Sequence, residues 1–272
     1  MDALEEMTQR MSETYTQSDC STDDEKCPIC HGTGWEEYEK DNYIYWRECR
    51  CGLRQRQIEN SRLSFANIPE SFKDVRMNNF NENIYRDADS QNKIHTAVKS
   101  IQYWLDNFFS DMQERGMGLY LYSNTKGSGK TRMAASIANE LIYEKKIQVK
   151  FATSLQILNE IKSSWNNQDK ECNESKLLNY LSISEILIID DFGTEQIKDW
   201  IEERFYQIIN NRYVDKKITI FTSNLKLDLL KYDNRITNRI KERTFQIPFP
   251  EESVRDIIAQ KHMIELANGI KN

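Results

Sequence analysis

The sequence lacks any apolar run approaching the ~20 residues that a membrane-spanning helix requires. Its first residues, Met1–Asp19, are acidic and contain neither the apolar core of a secretory signal nor the basic character of a mitochondrial presequence. We therefore expect a cytoplasmic protein without a membrane partner.

Positive charge is also scarce, because 37 Lys and Arg residues face 43 Asp and Glu residues, for a formal net charge of −6. A protein whose main task is to coat nucleic acid is usually basic. The acidic balance argues against that task, and we expect any contact with DNA to be local, transient or shared among subunits. An acidic surface suits a protein partner at least as well.

The 272 residues are enough for one full domain and a smaller module, and no internal repeat divides them. The linker between the two is inferred from the break at Ile68-Pro69 and from the abundance of Asn, Asp and Glu after it. The predicted segments are a flexible acidic N-terminus at 1–25 with a short helix at Ala3–Met11, a cysteine-containing module at 26–66, the linker at 67–92 and a larger domain at 93–272.

Apolar segments and helical periodicity alternate along the larger domain. Strands are predicted at Gly118–Ser123, Ile147–Ala152, Glu185–Asp191, Ile218–Thr222 and Thr244–Pro248. Helices are predicted from about Lys93 to Gly116 and at Thr131–Tyr143, Leu155–Trp165, Lys198–Tyr213, Asn234–Arg243 and Glu251–Asn268, with another at Arg50–Ser64 in the module. This alternation predicts an α/β fold with a mostly parallel sheet between helices.

A glycine-rich loop lies between the first of these strands and the next helix. Gly127 and Gly129 let backbone N–H groups turn toward phosphate oxygens, and the helix N-terminus adds its positive dipole end. Lys130 is expected to reach the β- and γ-phosphates of a nucleotide and Thr131 to ligate Mg²⁺. The residues expected to contact the nucleotide are Asn124, Thr125, Lys126, Gly127, Ser128, Gly129, Lys130 and Thr131.

One position of this loop departs from the G-x-x-x-x-G-K-T pattern, because Asn124 stands where the first glycine is expected. Asn tolerates left-handed backbone angles better than most residues, so we expect the loop to close around phosphate. The alternative is a chance Gly-Lys-Thr at a helix start, which the preceding strand and the following helix disfavour.

Two carboxylates, Asp190 and Asp191, end the apolar strand, at the edge where open α/β sheets bind ligands. Asp190 is expected to hold Mg²⁺, directly or through water, and Asp191 to polarise an attacking water. Asn224, at the end of the next strand, is placed to orient that water, although an ordinary strand-to-turn boundary looks the same. Arg235 and Arg239 lie one helical turn apart, either to stabilise charge on a γ-phosphoryl group or as a solvated basic face.

Four clustered cysteines, Cys27, Cys30, Cys49 and Cys51, are typical of metal ligands in a cytosolic chain. Four thiolates would form a closed, structural zinc site, and a segment this small needs such a staple to fold. The second pair is C-x-C rather than C-x-x-C, so His31 is an alternative ligand. Reduced, unbound thiols or a redox pair are the other interpretations.

The order of the motifs GSGKT, LIIDD, TSN and DNRITNRI resembles the AAA+ helicase loaders of the DnaC/DnaI family over roughly residues 70–260. The phosphate loop and the acidic strand are common to many ATPases, whereas their combination with FTSN and D-x-R-I-x-x-R is more specific. The resemblance implies an AAA+ P-loop ATPase domain that uses ATP and Mg²⁺, preceded by a small N-terminal module that binds Zn²⁺.

The same resemblance implies a role for each motif. Lys130 and Thr131 match Walker A, Asp190 and Asp191 match Walker B, Asn224 matches sensor 1, Arg239 matches the arginine finger acting on a neighbouring subunit, and Arg255 matches sensor 2. The role of Arg235 stays open. Because Asp191 replaces the Glu usual in AAA+ ATPases, slow, switch-like hydrolysis is implied.

The implied partners are a hexameric replicative helicase of the DnaB type, contacted through the zinc module, single-stranded DNA, and further copies of this chain. Loaders use a helical element before Walker B for single-stranded DNA, an interval that holds Lys150–Trp165 here. Lys150, Phe151 and Ser154 are either contacts to DNA or ordinary strand-end and core residues. The aromatic strip Trp35–Trp46 either serves the helicase contact or packs around the metal.

The expected function is therefore ATP-dependent loading of a replicative helicase during initiation of DNA replication, with ATP binding and hydrolysis switching the association with helicase and single-stranded DNA. Three alternatives are an IstB-like transposition helper ATPase, a nucleotide-binding adaptor without turnover, and a small-molecule kinase using the same loop. Because Asp191 replaces the usual Glu, the hypothesis of an adaptor without turnover stays open. The arginine-containing helix and the cysteine module disfavour the kinase hypothesis.

Overall fold

The computed structural model describes residues 27–164 and 170–271, and the chain divides into two compact units, 1–61 and 62–272. The acidic segment 1–25 and the helix predicted within it lie outside the described residues. Within the described part of the chain, no helix is long and apolar enough to cross a bilayer.

The first unit contains an antiparallel hairpin that the sequence analysis did not predict. Its strands are β1 (Trp35–Lys40) and β2 (Tyr43–Glu48). The two turn residues, Asp41 and Asn42, have φ of 52° and 61°, as a tight two-residue hairpin turn of the I′ type requires. Helix α1 (Leu53–Ala66) follows, beginning later than predicted because Gly52, with φ of 74°, still belongs to the cysteine turn.

The second unit is built on a parallel sheet of five strands. They are β3 (Gly118–Tyr122), β4 (Val149–Thr153), β5 (Ile186–Asp190), β6 (Ile218–Ser223) and β7 (Thr244–Pro248). The strand order is β4-β5-β6-β3-β7, and every neighbouring pair is parallel. The predicted α/β fold with a parallel sheet is confirmed. The order places β3, which leads into the glycine-rich loop, between β6 and β7.

Helices connect these strands. They are α2 (Ala88–Asp106), α3 (Lys130–Tyr143), α4 (Ser154–Ser164), α5 (Lys170–Ile183), α6 (Asp199–Val214), α7 (Asn234–Arg243) and α8 (Val254–Lys271). A π-helical turn at Phe108–Met112 extends the first of them, and Gly116, with φ of 67°, ends it as predicted. Helix α5 was not predicted, and α8 begins three residues later than expected.

Both faces of the sheet are buried. Leu119 and Leu121 of β3 pack in a core with α2 and α3, whereas Tyr120 between them packs in a second core with α4 to α7. Residues of β5 alternate in the same way, Ile188 in the first core and Leu187 in the second. A strand covered on both sides needs apolar residues at every position, which explains the continuous apolar runs in the sequence.

Residues 67–92, where composition predicted a linker, pack as part of the second unit. Ile68, Val75 and Tyr85 are buried in the same core as α2 and α3. The amide nitrogen of Asn139 on α3 donates hydrogen bonds to the carbonyls of Phe72 and Val75, at 2.9 and 2.8 Å. A few well-spaced apolar residues therefore anchor a segment whose average composition is polar.

Of the three residues considered as DNA contacts, two are buried and Lys150 is half-buried. Phe151 and Ser154 are each 1% exposed. The ammonium group of Lys150 donates to the carbonyl of Phe65 at 3.4 Å and lies over the rings of Phe65 and Tyr180. Of the two interpretations offered for them, strand-end and core residues fit the structure.

Candidate nucleotide site and cysteine cluster

The glycine-rich loop has the backbone geometry of an anion cradle. Gly127 and Gly129 adopt φ of 79° and 95°, and Gly129 is the N-cap of α3. No side chain caps this helix N-terminus in the described structure, so its first N–H groups are available to a ligand. A Cβ at Gly129 would lie 2.7 Å from the hydroxyl of Tyr85, so only glycine fits at this position.

Asn124 does not have the left-handed backbone that was expected to explain its presence. It is absent from the described non-glycine residues with positive φ, so that explanation is wrong. The start of the loop is instead held by the Glu251 carboxylate, which accepts a hydrogen bond from the Asn124 N–H at 3.1 Å.

Lys130 lies at the centre of the loop and is only 5% exposed. Its ammonium group donates to the carbonyl of Thr125 and to the hydroxyl of Ser128, both at 3.1 Å. Burial lowers the pKa of Lys130, and the carboxylates of Asp191 and Glu251 oppose that shift. A buried cation surrounded by amide and hydroxyl dipoles is suited to bind phosphate.

Thr131 and Asp190 meet although 59 positions separate them in the sequence. The Thr131 hydroxyl donates to the two carboxylate oxygens of Asp190, at 3.0 and 3.2 Å, and the Thr222 hydroxyl donates to the same group at 2.6 Å. Burial raises the pKa of Asp190, against the opposing effect of the hydrogen bond from Thr222. This hard oxygen donor set, beside an anion cradle, fits Mg²⁺.

A cleft of about 440 Å³ opens over the loop, and most of the predicted site residues line it. Asp191, Asn224 and Arg255 line it together with Lys126 to Thr131 of the loop. Lining residues that the sequence analysis missed are Phe72, Arg132, Thr194, Val254 and Ile258. Three of these five are apolar, which suits the base of a nucleotide. Arg132 and Val254 adjoin the predicted Thr131 and Arg255, whereas Phe72 comes from a distant segment that no local motif identifies.

Tyr85 is a further residue that sequence reasoning missed. Its hydroxyl donates to the carbonyl of Ser128 in the loop at 2.8 Å, and its side chain is 1% exposed. Burial raises the pKa of Tyr85, and the nearby Glu252 adds to the rise, so the hydroxyl stays a hydrogen-bond donor. Tyr85 therefore ties the segment before α2 to the phosphate loop.

The structure does not bring Arg239 to the cleft of its own chain. Its guanidinium donates to the side-chain oxygen of Asn210 at 3.0 Å and lies over the rings of Tyr206 and Tyr213. Arg235 is paired with Asp233 at 3.0 Å and also lies over Tyr206. These contacts hold both guanidinium groups against Tyr206 of α6, with Arg235 exposed and Arg239 half-buried.

The four cysteines of the first unit converge. Their Sγ atoms all lie within 4.8 Å of one another, with Cys27 and Cys49 at 3.7 Å and Cys30 and Cys51 at 3.6 Å. Tetrahedral zinc, with Zn–S of about 2.3 Å, places its sulfurs about 3.8 Å apart, so the cluster fits zinc. Exposed His31 is not part of the group that converges.

The aromatic strip of the hairpin does not pack around this cluster, which contacts Ile29 and Leu53 instead. Tyr43, Ile44 and Trp46 are 69%, 63% and 61% exposed. Such a concentration of exposed apolar side chains on a small hairpin is typical of an interaction surface.

A parallel α/β sheet, whose glycine-rich loop meets an acidic strand end, defines a P-loop nucleotide-binding protein. Residues 55–244 match the family described as IstB-like ATP binding protein, and the chain belongs to this family. The resemblance to DnaC and DnaI is confirmed by the relatives and solved structures that follow.

Several relatives are loaders or phage-element proteins. The replicative helicase loader DnaC of Buchnera aphidicola subsp. Baizongia pistaciae is 29% identical over 160 residues, which cover 59% of this chain and 59% of that protein. DnaC of Escherichia coli K12 is 32% identical over 98 residues, 36% of this chain and 37% of that one. The phage-like element PBSX protein XkdC of Bacillus subtilis is 23% identical over 240 residues, 85% and 84% of the two chains. The match to each of these two loaders spans less than two thirds of its length.

Solved structures share the fold. The crystal structure of the DnaC helicase loader matches with a TM-score of 0.56 at 23% identity, covering 67% of this chain and 100% of that one. The crystal structure of DnaI matches with the same TM-score and identity, covering 68% and 95%.

Proposed function

We propose that this protein is an ATPase that loads a replicative helicase, with ATP binding and hydrolysis switching its association with the helicase and with single-stranded DNA. The observation that carries the proposal is the contact of 3.0 Å between the Thr131 hydroxyl and the Asp190 carboxylate, at the edge of an uncapped helix N-terminus. This contact places the proposed magnesium ligands directly beside the proposed phosphate cradle, as in an ATPase. The loader relatives support the choice of partner.

In this proposal each predicted site residue has a defined task. Bound Mg²⁺·ATP supplies the phosphoanhydride bond to be broken. Lys130 binds the β- and γ-phosphates, and Thr131 with Asp190 holds the magnesium ion. Asp191 polarises the attacking water and Asn224 orients it. Arg255, from the first turn of α8, contacts the phosphates, while Arg239 serves the site of a neighbouring copy.

The four-cysteine module binds one structural zinc ion and carries the helicase contact. The spacing of its sulfurs supports zinc, and the exposed apolar side chains of the hairpin support a protein partner. Elemental analysis of the purified protein should find one zinc per chain, and Cys27→Ser should lower that content. A chain that folds with no zinc would contradict the metal assignment.

Co-purification with the replicative helicase of the same host or phage, with and without ATP, tests the loader proposal. The wild-type protein should retain the helicase in an ATP-dependent manner and deliver it to single-stranded DNA. Lys130→Ala should abolish ATP binding, because it removes the buried cation of the loop. If that variant loads helicase as well as the wild-type protein does, the proposed switching by ATP is wrong.

The hairpin contact has its own test with a matched control. Tyr43→Ala combined with Trp46→Ala should weaken helicase capture about tenfold or more, since exposed aromatic anchors dominate such interfaces. Tyr103→Ala removes a ring that is similarly exposed, at 64%, but lies on α2 of the ATPase unit, and it should leave capture unchanged. Equal loss in both variants would place the contact elsewhere.

A transposition helper of the IstB type is the second candidate, because the matching family carries that description. Capture of a transposase instead of a helicase would favour it. An adaptor without turnover is also distinguishable, since it predicts ATP binding without phosphate release in the presence of single-stranded DNA. Phosphate release that stops in Asp191→Asn would exclude the adaptor.

A further inference from the structure

The start of the phosphate loop is held by a residue outside every motif. The Glu251 carboxylate accepts hydrogen bonds from the N–H groups of Asn124 and Thr125, at 3.1 and 2.9 Å. It also accepts one from the Thr125 hydroxyl at 2.9 Å and one from the Ser123 hydroxyl at 3.2 Å. One side chain thus binds three consecutive residues at the point where a P-loop normally has its first glycine.

The segment that carries Glu251 runs alongside the loop and is joined to it on both sides of this contact. The Ser123 hydroxyl donates to the Pro250 carbonyl at 2.8 Å, and the Val254 N–H donates to the Gly127 carbonyl at 3.0 Å. Arg255, which lines the cleft, is the next residue. The loop and the start of α8 are therefore connected at both ends of residues 250–254.

A carboxylate beside a phosphate-binding loop opposes phosphate binding by its charge unless the carboxylate is itself neutralised. Here burial raises the pKa of Glu251, but hydrogen bonds from Asn124 and Thr125 outweigh it and hold the pKa below the usual range. The group is ionised at neutral pH, and its charge is balanced by amide and hydroxyl dipoles at the outer end of the loop.

We propose that Glu251 is a positioning residue of the nucleotide site: it sets the backbone of the loop in place of the missing first glycine and holds Arg255 in register with that loop. The proposal rests on the proposed nucleotide binding. It explains how Asn124 occupies a glycine position without a left-handed backbone.

Glu251→Gln is the sharpest variant, because it keeps size and shape but places an NH₂ group against N–H donors. We expect ATP affinity, measured with a fluorescent ATP analogue on the full chain, to fall about tenfold. Glu265→Gln, the same change on the exposed part of α8, should leave the affinity unchanged. Thr125→Val, which removes a single hydroxyl donor to Glu251, should produce a smaller loss of ATP affinity. It is the variant to measure if Glu251→Gln folds poorly.

A double-mutant cycle with Arg255→Ala separates positioning from general stability. If Glu251 holds Arg255 in register, Arg255→Ala should weaken ATP binding strongly in the wild-type background and only slightly in Glu251→Gln. Additive losses, or wild-type affinity in both Glu251→Gln and Thr125→Val, would overturn the inference while leaving the proposed function intact. Failure of the wild-type protein to bind ATP would overturn both.

Discussion

The second acidic residue of the site shows how backbone conformation selects a side chain. Asp191 adopts φ of 54°, a left-handed conformation that short polar residues tolerate better than longer ones. Its N–H donates to the Thr222 hydroxyl at 3.0 Å, and its carbonyl accepts from the hydroxyls of Ser154 and Thr194. The Asp that departs from the usual Glu therefore suits the left-handed backbone of this turn.

Asp190 is the residue at which stability and function oppose each other. Its folded-state pKa is raised, so between the unfolded and folded pKa values the folded protein binds more protons, and stability falls as pH rises. Asp190→Asn should therefore raise the free energy of unfolding at pH 7 without Mg²⁺ by about 1 kcal/mol, while abolishing Mg²⁺-dependent ATP hydrolysis.

Urea unfolding at pH 7 and at pH 4 measures this effect, and the gain should shrink at the lower pH. Asp191→Asn, an exposed neighbour whose replacement also tolerates the left-handed backbone, should change stability by less than about 0.5 kcal/mol. An Asp190→Asn protein that is less stable than wild type at pH 7 would show that the hydrogen bonds from the threonines outweigh desolvation.

Among the helices, the C-terminus of α5 is capped by a buried arginine from α6. Arg212 is 1% exposed, and its guanidinium donates to the carbonyls of Leu181 and Ser184, both at 2.8 Å, and of Ser182 at 3.2 Å. A second nitrogen donates to the carbonyl of Ile218 at the start of β6. One cation thus satisfies the free carbonyls at a helix C-terminus and connects that helix to the sheet.

Arg212→Met should destabilise the protein by about 3 kcal/mol, because it leaves several buried carbonyls without donors. The midpoint of urea unfolding, followed by circular dichroism, measures the loss. Arg115→Met is the matched control, since Arg115 is exposed and pairs with Asp111 one turn away, and it should cost under about 1 kcal/mol. Equal shifts in the two variants would refute a capping role for Arg212.

At the scale of the whole molecule, the nucleotide site of one chain lacks the arginine assigned to its chemistry. Arg239 is held on α7 by Asn210, Tyr206 and Tyr213, away from the cleft, and the resemblance to AAA+ proteins assigns it to a neighbouring subunit. The proposed role of Arg239 at a neighbouring copy would make hydrolysis a property of an assembly of copies rather than of one chain.

Mixing two inactive variants tests this arrangement. Arg239→Ala keeps an intact cleft, and Asp191→Asn keeps an intact arginine, so each alone should lose at least about a hundredfold in turnover. Together they should regain turnover well above the sum of the two. The double variant mixed with Arg239→Ala is the control and should stay inactive. No recovery, in mixtures that assemble by light scattering, would place the action of Arg239 within its own chain.

Sequence reasoning identified the sheet and the central residues of the candidate site because both have local signatures. The apolar runs of β3 and β5 are continuous, and the glycine-rich loop and Asp190 stand at fixed places relative to them. Helix α5 was missed because Leu178 and Leu181 are its only fully buried hydrophobic residues among those described, too few to show a helical period. The hairpin was missed although Asp41-Asn42 is a plausible turn dipeptide.

The sequence by itself determined the parallel α/β sheet, the phosphate loop, the paired aspartates and the four cysteines, because each depends on periodicity or on spacing within a short segment. Only the tertiary structure decided that Glu251, Tyr85 and Phe72 meet at the same loop, and that the residues expected to form a linker are packed. The physical reason is that these contacts join segments far apart in the chain. Burial and hydrogen bonding in the folded sheet, rather than any local pattern, select their partners.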